Sequence, residues 1–256
     1  MIKAIFFDID GTLVSFETHQ IPSTTIEALK QLKKQGIKIF VATGRGKDGL
    51  GVLEDISFDG YITLNGQYCY VGDRVIYENV ISKEDLETLL FYVTSNNIPC
   101  GFTEEHDKYY NFRDWRVDEI HSITNNDNQP AKDCSNVVNQ RIYQCQCFIS
   151  EQEEHELLSQ MPNCISARWH PLFCDISPKG GTKQNGIDKF LEYYGLNLED
   201  TMAFGDGGND IPMLRHVNVA VAMGNSNNEV KNVADYVTDT VDHDGVVKAL
   251  KYFKLI

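Results

Sequence analysis

The segment AIFFDIDGTLV, residues 4–14, passes from an uninterrupted apolar run into two carboxylates and a glycine. Because residues 4–7 show no alternation of polar and apolar side chains, they predict a strand that is buried on both faces. Gly11 predicts a turn directly afterwards, since glycine adopts backbone angles that other residues resist. Asp8 and Asp10 are therefore expected at the carboxyl end of a core strand, where ligands bind in open α/β sheets.

The spacing of these two aspartates allows both side chains to face one crevice. Alternate residues of a strand share a face, and two close carboxylates repel each other unless a cation or a shared proton relieves the repulsion. A divalent metal is the natural expectation for such a pair. Taken alone, the segment also fits a plainer interpretation, a strand followed by an acidic turn.

The composition predicts a packed core and an acidic surface. The 256 residues are 42% hydrophobic, and 37 acidic against 23 basic side chains give a formal net charge of −14. This charge disfavours nucleic acid or an anionic membrane as a partner. An anionic substrate must therefore be held by local positive groups or by a metal.

The seven cysteines are scattered, and only Cys145 and Cys147 are close in sequence. The absence of a Cys-x-x-Cys pair disfavours structural zinc, and we expect buried, reduced thiols without ligand or redox roles. The chain starts directly in a predicted core strand, with no cleavable leader and no apolar run of membrane-spanning length. We therefore expect a cytoplasmic protein and, without a heptad seam, a monomer.

The order of predicted strands and helices divides the chain into two kinds of region. Strands alternate with helices through residues 1–81 and again through 179–256, which predicts a mainly parallel sheet between helical layers, a Rossmann-like three-layer α/β core. Residues 82–178 combine hairpin signals with helical segments and include a polar loop at 124–130. This stretch predicts an inserted α+β domain.

Polar side chains recur where the predicted core strands end. Because parallel neighbouring strands end at the same edge of a sheet, these groups are expected to converge. Carboxylates suit Mg²⁺, hydroxyl and ammonium groups suit phosphoryl oxygens, and one carboxylate can attack phosphorus while another transfers protons. Besides the two aspartates, the set comprises Thr43 with the adjacent Gly44, Lys183 just beyond the insertion, and Asp206 with Asn209 and Asp210.

Four segments resemble, in order, the motifs of the haloacid dehalogenase superfamily of phosphohydrolases. They are DIDGTLV at 8–14, ATGR at 42–45, Lys183, and GDGGND at 205–210. Lys183 is preferred to Lys179 as the third motif because it opens the following helix, whose dipole favours an anion. The insertion between the second and third motifs is similar to the type IIB cap of Cof-like sugar-phosphate phosphatases.

The resemblance implies a role for each matching residue. Asp8 would be the nucleophile and a Mg²⁺ ligand, and Asp10 would be the general acid and base, giving its backbone carbonyl to the metal. Asp206 would be a further metal ligand, supported by Asp210. The implied phosphate-binding residues are Thr43, Gly44, Lys183 and Asn209.

Substrate contacts are less sharply defined by the sequence. Arg45 either faces the substrate or pairs with a surface acid, and Asn65 belongs to a turn that the family places close to the site. In the insertion, Arg168 and Trp169 lie at a predicted hairpin turn and suit sugar and phosphate groups. The insertion is expected to act as a lid that excludes water.

The expected activity is a Mg²⁺-dependent phosphatase for small phosphorylated metabolites, above all hexose phosphates, through an aspartyl-phosphate intermediate. Phosphomannomutases resemble the same core and cap, so a phosphosugar mutase is an alternative. A regulator that binds a phosphorylated metabolite without catalysis is a second alternative, which the intact acidic motifs disfavour.

Overall fold

The computed structural model describes residues 1–124 and 129–256, without the side chains of Thr124 and Trp169. Residues 125–128, in the predicted polar loop, lie outside the described part. The chain divides into two compact units. Unit 1 comprises Met1–Glu78 and Gly181–Ile256, and unit 2 comprises Asn79–Gly180.

Thirteen strands are present among the described residues. They are β1 (Ala4–Phe7), β2 (Lys38–Ala42), β3 (Gly60–Thr63), β4 (Tyr68–Val71), β5 (Arg74–Glu78), β6 (Cys100–Thr103), β7 (Lys108–Tyr110), β8 (Gln144–Cys147), β9 (Cys164–His170), β10 (Phe173–Pro178), β11 (Thr201–Gly205), β12 (Val219–Ala222) and β13 (Tyr236–Val237). The α-helices of the same part are α1 (Ser23–Lys34), α2 (Lys83–Ser95), α3 (Trp115–Thr124), α4 (Glu151–Leu158), α5 (Lys183–Tyr194), α6 (Ile211–His216), α7 (Asn228–Lys231) and α8 (Gly245–Tyr252).

The sheet of unit 1 has the strand order β13-β12-β11-β1-β2-β3-β4-β5. Its first six strands in this order run parallel, while β4 and β5 form an antiparallel hairpin at one edge. β1 lies between β11 and β2 and is fully buried. Both ends of unit 1's sequence therefore contribute to the centre of one sheet.

The apolar run of β1 faces two cores. Ile5 and Phe7 pack with residues of α1 and α8, whereas Ala4 and Phe6 pack with residues of α5 and α6. This alternation follows from the two-residue period of a strand. It places helices on both faces of the sheet and confirms the predicted three-layer α/β core.

The sheet of unit 2 is fully antiparallel, in the order β7-β6-β8-β10-β9. One face packs against apolar residues of α2 and α4, including Leu86, Leu89 and Leu157. A smaller cluster joins Val117 and Ile120 of α3 to aromatic side chains of the sheet. Unit 2 is therefore an α+β module with its own core.

Within residues 1–124 and 129–256, no helix combines the length and the apolar character that crossing a bilayer requires.

Candidate active site

Three neighbouring parallel strands of unit 1 end in polar residues at one edge of the sheet. Asp8 follows β1, Thr43 follows β2 and Asp206 follows β11. Asp8 also donates its backbone N–H to the carbonyl of Phe204 at 3.0 Å, which continues the β1–β11 ladder to this edge. The strand register thus brings side chains from distant parts of the sequence together.

Lys183 connects the first and last motifs. Its Nζ atom donates to Asp8 Oδ1 and to Asp210 Oδ1, each at 2.5 Å, and its side chain is fully buried. It is the first residue of α5, which Thr182 caps by accepting the N–H of Asn185. The structure therefore holds one buried cation between two buried carboxylates.

Burial and charge act against each other in this group. Burial raises the pKa of Asp8, and the negative charge of Asp210 raises it further, while Lys183 opposes both effects. For Lys183, burial acts to lower the pKa, but the charges of Asp210 and Asp8 outweigh burial and hold it above its usual value. The lysine is therefore a permanent cation beside Asp8 at neutral pH.

Asp206 completes a compact acidic cluster. Carboxylate oxygens of Asp8, Asp206 and Asp210 all lie within 4.8 Å of one another. Burial, followed by the charge of Asp210, raises the pKa of Asp206 to about 6. Close carboxylates with raised pKa values gain from a bound cation, and oxygen donors are the ligands that Mg²⁺ takes. The donor set therefore fits a hard divalent metal.

Gly11 is required by the approach of Asp206. It has a φ of +76°, and a Cβ at this position would lie 2.2 Å from Asp206 Oδ2. Any other residue would be strained and would also displace the carboxylate. The glycine of the first motif thus makes room for the aspartate of the fourth.

Asp210 has no free carboxylate oxygen. Oδ1 accepts from Lys183, and Oδ2 accepts the backbone N–H groups of Asp206 and Gly207, both at 2.9 Å. These bonds fix the loop that carries Asp206. The geometry suits Asp210 to supporting the cluster, which is the role that the sequence implied for it.

Asp10 and Arg45 form a bidentate ion pair. Arg45 Nε lies 2.9 Å from Asp10 Oδ2, and a terminal nitrogen lies 2.6 Å from Oδ1. Another guanidinium nitrogen donates to the Gly49 carbonyl at 2.6 Å. Of the two alternatives for Arg45, the structure shows pairing with an acid, and that acid is the one expected to transfer protons.

The second motif contacts the turn that follows β3. Thr43 is buried, its hydroxyl accepts the N–H of Arg45 at 3.1 Å, and its carbonyl accepts the N–H of Asn65 at 2.9 Å. Asn65 has a positive φ of 54° and accepts from the Asn209 amide at 3.1 Å. A Cβ on Gly44 would lie 3.3 Å from the Asn65 amide, so this approach leaves little space.

The candidate site residues of unit 2 do not belong to this acidic cluster. The Arg168 guanidinium is bound to Glu154, with a shortest distance of 2.6 Å, and to the carbonyls of Ile149 (2.8 Å) and Pro171 (3.0 Å). Arg168 thus joins the start of α4 to the β9–β10 turn. The Trp169 side chain lies outside the described part. Lys179, the alternative third-motif lysine, donates to the Pro162 carbonyl at 2.5 Å within unit 2.

Asn225 is a site residue that sequence reasoning missed. Its amide nitrogen donates to the Gly11 carbonyl at 2.9 Å and to Asp206 Oδ2 at 3.1 Å, while its Oδ1 accepts the N–H of Val241 at 3.3 Å. It therefore links the first-motif turn to the fourth-motif carboxylate. Its position three residues after β12, another strand that ends at this edge, was the available signal.

The comparisons with known proteins agree with this geometry. A family model described as haloacid dehalogenase-like hydrolase matches residues 5–250. The candidate phosphatase YkrA of Bacillus subtilis (strain 168) is 34% identical over 257 residues, covering 99% of this chain and 98% of the relative. YcsE of the same strain, named as a 5-amino-6-(5-phospho-D-ribitylamino)uracil phosphatase, is 26% identical over 99% of this chain and 96% of its own length.

A solved structure is also similar over the whole chain. The HAD subclass IIB sugar phosphatase BT4131 is 46% identical in sequence to this chain, with a TM-score of 0.86. The match covers 99% of this chain and 100% of the BT4131 chain. These matches confirm the prediction made from the four motifs. The chain belongs to the haloacid dehalogenase-like hydrolase family, as a phosphatase-type enzyme of the Cof-like branch with a type IIB cap.

Proposed function

We propose that this protein is a Mg²⁺-dependent phosphatase that hydrolyses small phosphomonoesters, above all hexose phosphates, through an aspartyl-phosphate intermediate. The observation that carries the proposal is the buried group in which Lys183 lies 2.5 Å from both Asp8 and Asp210, with Asp206 close by. The sugar phosphatase similarity supports hexose phosphates as the first substrates to test.

In this proposal Asp8 attacks phosphorus and forms the covalent intermediate. Lys183 holds a phosphoryl oxygen and balances the charge of Asp8, because its own charge is fixed by two carboxylates. Thr43, Gly44 and Asn209 line the remainder of the phosphate site, and their mutual contacts with Asn65 hold them in place.

Asp10 transfers the protons. It protonates the leaving alcohol in the first step and takes a proton from water in the second. The Arg45 ion pair orients the Asp10 carboxyl group before substrate arrives. Since Arg45 is partly exposed, it can also turn toward an anionic substrate.

The proposed Mg²⁺ ligands are Asp8, Asp206 and the backbone carbonyl of Asp10. Asp210 supports them by fixing the loop that carries Asp206. When bound, the metal supplies positive charge that offsets the carboxylates and the phosphoryl oxygens. Residues of unit 2, with Arg168 and Trp169 as candidates, are proposed to select the leaving group.

The test is phosphate release from a panel of phosphomonoesters by the whole chain, with Mg²⁺ and with excess EDTA. The panel includes hexose phosphates, pentose phosphates, a ribityl phosphate and p-nitrophenyl phosphate. We expect Mg²⁺-dependent release, with hexose phosphates giving the highest kcat/KM. Isomer formation without free phosphate would favour the mutase, and binding of a phosphate ester without turnover would favour the regulator.

A further inference from the structure

A row of thiols crosses the centre of the unit 2 sheet. The strand register places Cys100 of β6 opposite Cys147 of β8, and Cys147 opposite Cys174 of β10. Residues directly opposite each other share a face of the sheet, and all three side chains are fully buried. The two cysteines that are close in sequence, Cys145 and Cys147, are separated along one strand, whereas Cys100 approaches Cys147 from another.

The sulfur atoms of Cys100 and Cys147 lie 3.3 Å apart. The backbone N–H and carbonyl of Cys100 both point away from β8. Each forms a hydrogen bond with Asn111, the residue that follows β7. The ladder bond to β8 is made instead by the neighbouring Pro99 carbonyl, which accepts from Phe148 at 3.2 Å. Cys100 and Cys147 are therefore a non-hydrogen-bonded pair of an antiparallel ladder.

That type of pair has the geometry that a disulfide needs. Its Cα atoms are typically about 4.5 Å apart, which lies inside the usual disulfide range of about 4.4–6.8 Å. The strands need not separate or slide for the bond to form; only the two sulfur atoms must close the remaining distance. Cys174 faces Cys147 from the opposite, hydrogen-bonded side, where the Cα separation is typically larger, about 5.5 Å.

We propose that Cys100 and Cys147 are an oxidative modification site, which a small peroxide converts into a disulfide between β6 and β8. One thiolate attacks a peroxide oxygen, forming a sulfenic acid and releasing water after protonation. The second sulfur then displaces water from the sulfenic acid. In total, two thiols and one hydrogen peroxide give one disulfide and two waters, with two electrons passing from sulfur to oxygen.

The surroundings determine the rate of this reaction and its product. The hydrogen bond to Cys100 raises the pKa of the Cys147 thiol, as does burial. Burial likewise raises the pKa of the Cys100 thiol. The thiol form therefore dominates, and oxidation is slow until the sheet opens locally. Once one sulfur is oxidised, the adjacent thiol at 3.3 Å captures it before a second peroxide arrives, so the disulfide forms in preference to sulfinic acid.

The experiment treats the whole chain with hydrogen peroxide, blocks the remaining thiols with N-ethylmaleimide in denaturant, and analyses tryptic peptides without reduction. Cys100 is the single cysteine of peptide 84–108, and Cys147 lies on peptide 142–168 with Cys145 and Cys164. We expect these two peptides to be joined, with two hydrogens lost and fragmentation locating the bond at Cys147. Dithiothreitol should release the link.

Matched variants separate this pair from its neighbours. Cys147→Ser and Cys147→Ala should each lose the link, while Cys174→Ser and the unit 1 control Cys69→Ser should retain it. The proposal is overturned if the folded wild-type protein reaches sulfinic acid at Cys100 without a link, or if the link persists in Cys147→Ala. If a variant fails to fold, peptide mapping of the oxidised wild-type protein alone tests the proposal.

The thermal midpoint gives a second readout, because it reports whether the bond fits the native sheet. Closing the long loop between the two cysteines should raise the midpoint of unit 2 by about 5 °C or more, and reduction should reverse this shift. A midpoint that falls on cross-linking would contradict the claim that the strands already have the required spacing. Both measurements are independent of phosphatase activity.

Discussion

Units 1 and 2 are both built on a sheet with helices, but they distribute polar side chains differently. In the parallel sheet of unit 1, β1, β2 and β11 all end at one edge, and their terminal residues meet there. In the antiparallel sheet of unit 2, neighbouring strands end at opposite edges, so consecutive strand ends do not converge. A motif at a strand end therefore predicts convergence with other strand ends in unit 1, while the same signal in unit 2 does not.

Two cations make the same contrast at the level of single residues. Lys183 bonds to two side-chain carboxylates that belong to sequence motifs. Arg168 bonds to one carboxylate and to two backbone carbonyls. The first arrangement places a buried cation between two carboxylates, whereas the second connects separate segments of the backbone.

The largest effect is expected for Asp8→Asn, which removes the proposed nucleophile from unit 1 with little change in shape. Turnover should fall by about a thousandfold or more, measured as phosphate release with Mg²⁺. Asp188→Asn is the control, because Asp188 pairs with His216 on the surface. Near-normal activity of Asp8→Asn, with its melting curve unchanged, would show that another residue is the nucleophile.

Lys183→Met should reduce both activity and stability. It leaves Asp8 and Asp210 buried without their cation, so we expect kcat to fall about 100-fold or more and the free energy of unfolding to fall by about 3–5 kcal/mol. Denaturant titration and steady-state kinetics measure the two effects. Lys189→Met, on the same helix but on its exposed side, should change neither; equal losses in both variants would contradict a special role for Lys183.

Asn225→Ala should weaken the metal site selectively. Without the Asn225 amide, Asp206 and the Gly11 carbonyl lose a common donor, and we expect about a tenfold higher Mg²⁺ concentration for half-maximal activity. The readouts are the Mg²⁺ dependence of kcat and direct calorimetric binding of Mg²⁺. The exposed Asn232→Ala is the control, and an unchanged Mg²⁺ dependence in Asn225→Ala would remove Asn225 from the site.

The smallest effect on turnover is expected for Arg168→Met in unit 2. Loss of its bonds to Glu154, Ile149 and Pro171 should destabilise unit 2 by about 1–3 kcal/mol. Loss of the proposed substrate contact should raise KM for hexose phosphates, while kcat stays within about twofold. Calorimetric melting and kinetics on hexose phosphates test this, with the exposed Lys83→Met as control. An unchanged KM with a lowered melting temperature would instead limit Arg168 to a structural role.

The sequence predicted the α/β core because β1 is apolar throughout and its neighbours repeat that pattern with helices between them. The four motifs indicated the site because parallel strands must end together. The contact between Gly11 and Asp206 could not be read in advance, since sequence marks a turn at Gly11 but not what approaches it.

Other contacts were hidden for a related reason. Asn225 follows a strand end, but an isolated asparagine carries little signal, and its role depends on a carbonyl 214 residues away. The partners of Arg168 are mostly backbone carbonyls, which exist at every residue and leave no trace in a sequence. The Cys100–Cys147 pair depends on which strands are neighbours and in which register they pair, and the sequence of one strand does not name its partner.

The central position of β1 has a consequence for how the chain folds. β1 can pair with β2 early in synthesis, but its other neighbour, β11, is made only after all of unit 2. Unit 2 is continuous in sequence and contains only its own ladders, so it can fold while unit 1 still exposes one side of its central strand. Chains interrupted within residues 181–200 should therefore contain a folded unit 2 and an unpaired β1 edge, and this edge is where they should aggregate.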